Sequence, residues 1–153
     1  MSLEENKAIV LRFYEELWNG RKLGVADEII AADCVTHQLR SGAVSDAVPR
    51  DAEAVKRHAG EWLKGFPDLR FSVEQLVAEG DRVVSLCVMR GTHAGPWLGV
   101  APTGKEVSIR LTVVQRIEGG KIAEDWVLVE ALGLFQQLGL VPGSEEILAK
   151  ASG

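Results

Sequence analysis

Few residues in this 153-residue chain could do chemistry, and their types narrow which chemistry that is. There are three histidines, two cysteines and one tyrosine, with no Cys-x-x-Cys or His-Glu-x-x-His spacing, so neither a structural nor a catalytic metal is expected. Gly99-Val-Ala-Pro-Thr-Gly104-Lys105 matches the first seven positions of a phosphate-binding loop. The next residue is Glu106 rather than Ser or Thr, and a β-branched run follows where a helix should aim its amides at phosphate. Pro102 and the two glycines read instead as a turn between strands. Proton transfer remains, with Asp125 and His37 as its candidate groups.

What Asp125 can do depends on the hairpin that carries it. In Glu106–Glu118 the odd positions are Val107, Ile109, Leu111, Val113, Gln115 and Ile117, so alternation assigns them to the interior with only Gln115 out of pattern. A three-residue loop, Glu118-Gly119-Gly120, pairs Ile117 with Lys121 and Val113 with Asp125. Asp125, Val127 and Val129 then share the interior with Leu111 and Val113. A two-residue Gly119-Gly120 turn shifts the pairing by one and brings Glu124, Trp126, Leu128 and Glu130 inside. The first register buries one carboxylate and the second two, so desolvation favours the first. A lone Asp there has a raised pKa and serves as an acid or base near neutrality. The competing reading sets it at the mouth of the sheet, or pairs it with Arg110, Arg116 or a helix amide.

His37 ends a short strand just before a loop, where it is either a base or donor at the rim of a pocket or a histidine bonded locally. His93 is expected to bond within its Gly91–Gly99 turn, and His58 to lie on a helix surface or in helix packing. Tyr14 and Trp62 carry donors on apolar bodies, so they can line a cavity or fill the core, Trp62 more readily the core. Trp97 follows Pro96 in a loop and can cap the pocket or meet a second subunit. Arg110, Arg116, Trp126 and Leu128 share the outer face, a mixed patch that suits contact between subunits.

These side chains need a scaffold, and periodicity supplies one. Helices are expected at about Leu3–Trp18, Lys22–Ala31 and Ala52–Lys64, with a short strand at Asp33–Leu39 and an exposed, mobile loop at Ser41–Asp51. Strands follow at Arg70–Glu79, Arg82–Thr92, Glu106–Glu118 and Lys121–Glu130, then a last helical turn from Leu132 to Leu138. Short turns make the strands antiparallel, giving one α+β domain over residues 1–153 with helices on one face of a curved sheet. The net charge of −5 and the lack of a basic cluster argue against a nucleic-acid partner. No apolar run approaches the ~20 residues of a membrane span. Met1–Asn6 is no signal peptide, so a cytoplasmic protein is expected, with Cys34 and Cys87 as free, buried thiols.

Taken together, several segments resemble the SnoaL-like polyketide cyclase family of the NTF2-like superfamily. They are Phe13-Tyr14 through Trp18-Asn19-Gly20, Asp33 to His37, Gly91-Thr-His93, Gly99-x-x-Pro-Thr-Gly104, Gly120-Lys-Ile122, Glu124 with Trp126, and Gln137-Leu-Gly139. The resemblance implies an NTF2-like cone, in which three N-terminal helices close over a strongly curved, mostly antiparallel sheet around an apolar pocket. It further implies a homodimer through the outer sheet face and chemistry without metal or cofactor. The family's cyclases use a pocket Asp as acid/base in an intramolecular aldol closure of a polyketide ester.

By that resemblance the family's Asp falls at Val127, a supporting His at Val113 and a Gln at Leu111, all aliphatic here; a substrate-orienting polar residue falls at His37 and a second supporting His at Asp125. Val127 cannot move a proton. The expectation is therefore an enzyme doing cofactor-independent acid/base chemistry, of cyclase, isomerase or hydratase type, on a small apolar carbonyl or ester compound. Asp125 and His37 would be its catalytic pair, with Tyr14, Trp62, Leu111, Val113, Gln115 and Val127 around the substrate. The alternatives are a non-catalytic binder of an apolar ligand and an interaction module that uses the sheet face.

Overall fold

In the computed structural model, which describes residues 1–39 and 47–153, the first element is set by its cap. Ser2 accepts from the Glu5 amide at 3.1 Å while the Glu5 carboxylate takes the Ser2 amide at 2.7 Å, opening α1, Leu3–Arg12. The helix continues as a wider π-helical stretch, Phe13–Asn19, that turns Tyr14, Leu17 and Trp18 inward. Its end is pinned to the sheet, because the Asn19 side chain both donates to and accepts from the Phe71 backbone at 2.8 Å.

A single 3₁₀ turn, Leu23–Val25, and a four-residue helix α2, Ala26–Ile29, replace the longer helix expected at Lys22–Ala31. The chain leaves the helix early because Ile30 pairs with Ile122, so β1 runs from Ile30 to Gln38 and starts before Asp33. Sheet pairing overrides helical spacing here. Of the expected loop Ser41–Asp51, residues 41–46 lie outside the described residues. Its remainder is not a loop: Val48–Pro49 forms β2 against Val35 and Thr36, and Asp51 caps α3, Ala52–Gly65, by accepting from the Ala54 amide at 2.9 Å.

The sheet has six strands in the order β2-β1-β6-β5-β4-β3, with β3 at Arg70–Glu79, β4 at Arg82–Thr92, β5 at Glu106–Glu118 and β6 at Lys121–Val129. All neighbours are antiparallel except β1 and β6, which run parallel. The helices cover one face, and Val10, Leu17, Phe66, Val83 and Ile109 are among the side chains closed off between the layers. After β6 come α4, Ala131–Gln137, and an unanticipated α5, Ser144–Ser152, which buries no residue. No helix of the described residues is long and apolar enough to cross a membrane.

The β5–β6 hairpin differs from expectation in its turn and agrees with it in its face. Glu118 pairs with Lys121 across Gly119-Gly120, whose φ angles of 58° and 76° suit a two-residue turn that glycine closes without strain. Uninterrupted, that turn would send Glu124 and Trp126 inward. A bulge intervenes between the Ile117–Ile122 and Arg116–Glu124 pairs, taking up Ala123, so Gln115 faces Asp125 and Val113 faces Val127. The extra residue restores the parity that a three-residue loop would have set. Asp125 therefore shares the inner face with Val127 and Val129, while Glu124 and Trp126 lie outside.

Candidate active site

The curved sheet and the helices enclose a cleft with two chambers. The deep chamber, of about 110 Å³, is walled by apolar side chains including Tyr14, Trp18, Phe71, Leu111, Val113 and Val127, and Asp125 is its only carboxylate among the described residues. An outer vestibule of about 420 Å³ opens beyond it, between Trp62, Trp97, Leu98 and Phe135. Gln38, Arg50, His58, Trp62, Val127 and Val129 border both chambers and so form the neck between them.

Asp125 is held by β1. Its register sets Thr36 beside Asp125 and Gln38 beside Val127, which turns both polar side chains to the inner face. The Thr36 hydroxyl, 1% exposed, donates to Asp125 Oδ1 and accepts from Gln38 Nε2 at 3.1 Å. Burial pushes the Asp125 carboxyl above its ordinary value, while the Thr36 hydrogen bond and the charge of Arg50 pull it back. The net direction is upward, which favours a group that gains and loses a proton in the working range. Arg110 and Arg116, considered as partners for it from sequence, are engaged elsewhere, with Glu74 and Glu124.

His37 does not reach the cleft. The pairing that points Thr36 and Gln38 inward points His37 outward, where Nε2 meets Glu124 Oε2 at 2.7 Å and the ring stacks on Trp126 at 5.1 Å. Glu124 also accepts from Arg116 Nε at 3.1 Å, and Arg82 lies over Trp126 at 5.5 Å. The group expected to assist Asp125 thus belongs to the outer face.

The other predicted residues divide. Leu111, Val113 and Val127 line the deep chamber, and Trp62 lines both chambers while packing 4.8 Å from Trp97. Tyr14 lines the chamber, but its hydroxyl sits 2.7 Å from Ser85 Oγ, which itself donates to the Val113 carbonyl at 3.4 Å. With that donation made, the phenol proton goes to Ser85 rather than to a substrate carbonyl. Burial raises the Tyr14 hydroxyl well above its ordinary pKa, so it stays a neutral phenol. Gln115, opposite Asp125, is 0% exposed and not in the chamber wall, and neither atom of its amide has a partner among the described residues. His93 is also 0% exposed and has a structural part, but its Nδ1 accepts from the Thr103 amide at 3.2 Å, beyond the Gly91–Gly99 turn in which its partner was expected.

Sequence reasoning missed Thr36, Gln38, Arg50 and His58. Alternation does not tell Cys34-Thr36-Gln38 from Val35-His37, because both sets mix apolar and polar residues. Arg50 lay inside the segment read as a loop. His58 was assigned to the surface or to helix packing, yet it borders the cleft, where burial, reinforced by the charge of Arg50, lowers its imidazole to about 4. It is therefore neutral at physiological pH. Cys34 also lines the chamber, and burial pushes its thiol up to about 12, which removes it as a nucleophile.

The family model described as SnoaL-like polyketide cyclase matches residues 8–138. Among solved structures, AclR from Streptomyces galilaeus, a provisionally assigned hydroxylase, is 30% identical with a TM-score of 0.82, covering 99% of this chain and 91% of its own. A provisionally assigned SnoaL-like polyketide cyclase from a Jannaschia species is 26% identical with a TM-score of 0.79, covering 91% of this chain and 94% of its own. IdmH from Streptomyces antibioticus, a provisionally assigned polyketide cyclase, is 30% identical with a TM-score of 0.74, covering 88% of this chain and 98% of its own. No curated protein matches the chain.

Proposed function

This chain belongs to the SnoaL-like polyketide cyclase family, and from that premise we propose that it is an enzyme of cofactor-independent proton transfer, of cyclase or isomerase type, on an apolar carbonyl or ester compound. Asp125 is its acid/base. The supporting observation is that one carboxylate, raised in pKa by burial, faces a chamber walled mostly by aliphatic and aromatic side chains. Such a carboxylate takes a proton from carbon α to a carbonyl and returns it elsewhere on the same molecule.

The fold alone does not fix the chemistry, since a structural neighbour is provisionally assigned as a hydroxylase. The reading therefore rests on the site. Valine at 127 excludes a mechanism that needs a carboxylate there. Asp125 stands two residues along the same strand face, about 7 Å away, and at the deep end rather than the neck. Thr36, bonded in turn by Gln38, orients the Asp125 carboxylate, and His37 on the outer face takes no part. A second reading, a binder without turnover, is favoured by the aliphatic side chains at 111, 113 and 127 and by the absence of a second acid in the chamber among the described residues.

Exchange of the α-protons of 2-tetralone in D2O, followed by proton NMR, tests the proposal. Wild-type protein should accelerate exchange over buffer, and Asp125→Asn should abolish the acceleration while 2-tetralone still raises the melting temperature. Stabilisation without acceleration in the wild type favours the binder. Equal acceleration by both proteins removes Asp125 from the mechanism.

A further inference from the structure

The neck between the chambers carries a single charged side chain among the described residues, Arg50, and the acid/base role of Asp125 gives that charge no function by itself. Its backbone is fixed on both sides. Its amide donates to the Cys34 carbonyl at 2.7 Å, β2 precedes it, and the capping residue of α3 follows it. The side chain is half-buried and borders both chambers. Asp125 and Arg50 influence each other electrostatically without coming within ion-pair distance, and both line the deep chamber. A half-buried guanidinium that has no bonded carboxylate among the described residues is unfavourable on its own and well suited to an incoming anionic oxygen.

We propose that Arg50 holds the substrate oxygen on which negative charge develops when Asp125 removes the α-proton, so that the cleft selects enolisable carbonyl compounds with an apolar ring system. This rests on the acid/base reading of Asp125. The carbon–hydrogen bond breaks and its proton forms an O–H bond on Asp125. The bonding pair becomes the enolate double bond, and the carbonyl π pair moves onto oxygen. Charge passes from Asp125 to that oxygen, beside the guanidinium, and no oxidant or reductant takes part. Oriented charge of this kind stabilises the enolate more than the starting ketone, which is the requirement for lowering the barrier. Neutral His58 leaves Arg50 as the only cation at the neck among the described residues. Trp62, Trp97 and Phe135 offer the vestibule to the rest of the molecule.

The test uses 2-naphthoate as a stable mimic of a planar anionic oxygen on an aromatic body, and methyl 2-naphthoate as its uncharged counterpart. Dissociation constants are measured by calorimetry for the wild type, Arg50→Gln, Arg50→Lys and Asp125→Asn. Wild-type protein should bind the anion at least tenfold more tightly than the ester. Arg50→Gln should erase that preference and leave ester affinity within twofold. Arg50→Lys keeps the charge without the planar fork and should lose at least threefold of the preference with the ester unchanged, which provides a reading should the Gln variant not fold. No anion preference in the wild type, whether because the ester binds as well or because neither binds, overturns the proposal. So does equal weakening of both ligands, which marks a structural role. Asp125→Asn separates the two claims, since it should keep or strengthen the anion preference while losing 2-tetralone exchange. A failed exchange assay therefore bears on Asp125, and a failed preference on Arg50.

Discussion

Thr36 shows how much one hydroxyl can set at Asp125. It donates to the carboxylate and so favours the ionised form, opposing the burial that favours the neutral one. A base must be ionised to accept a proton, so the rate of 2-tetralone exchange should rise with pH through the Asp125 pKa. Thr36→Val removes the stabilising donor, and the rising limb should move to higher pH. A limb that stays in place or moves lower would mean that Asp125 is not the titrating group. The same residue shows why part of the site was hidden. Asp125 was legible because one carboxylate stood among Val113, Val127 and Val129 in a strand with clear alternation. The inward side of β1 was not, because the face shown by Thr36 or His37 is set by parallel pairing with β6, and no local sequence signal records a non-local register.

At the scale of elements, β3, β4 and β5 were read to the residue because alternation and glycine turns bound them tightly. The hairpin was read correctly in its face and incorrectly in its turn. Gly-Gly admits either loop length, and a bulge at alanine carries no mark in the sequence. The helix at Lys22–Ala31 was over-extended because Ile29-Ile30 suits a helix stripe and a strand alike. A close crossing between α3 and the loop before Trp97 is a further element-level constraint. The amides of Ala94 and Gly95 donate to the Gly65 carbonyl at 3.0 and 3.1 Å, and a Cβ at Gly95 would lie 2.0 Å from the Lys64 carbonyl oxygen. Gly95→Ala should therefore lift the loop, loosen Trp97 from Trp62 in the vestibule and cost about 1–3 kcal/mol, as overpacking does. Denaturant unfolding checks this, and a change under 0.5 kcal/mol would contradict the crossing as described.

Across the whole molecule, the fold resolves a conflict between stability and function. A carboxylate in an apolar chamber opposes folding when it is ionised, and here that cost falls on the residue proposed as the acid/base. The α+β architecture, with helices on one face of a curved sheet, was legible from helices followed by a meander, and the cone was implied by the family resemblance. The two-chamber cleft was not, because it depends on how Arg50, His58 and Trp62 from the α3 side meet Val127 and Val129 of β6. Both functional proposals depend on the Asp125 carboxylate being inside, and linkage between protonation and folding reports this without a known substrate. A carboxyl whose pKa is raised by folding costs nothing below its unfolded value, near 3.9, and lowers stability progressively as pH rises through the folded value. The decisive measurement is the unfolding free energy of wild type and Asp125→Asn from pH 3 to pH 7. The stability of the variant relative to wild type should increase as pH rises. A difference that stays flat, or that turns in favour of wild type with rising pH, would place an ordinary or stabilised carboxylate at 125 and contradict the account.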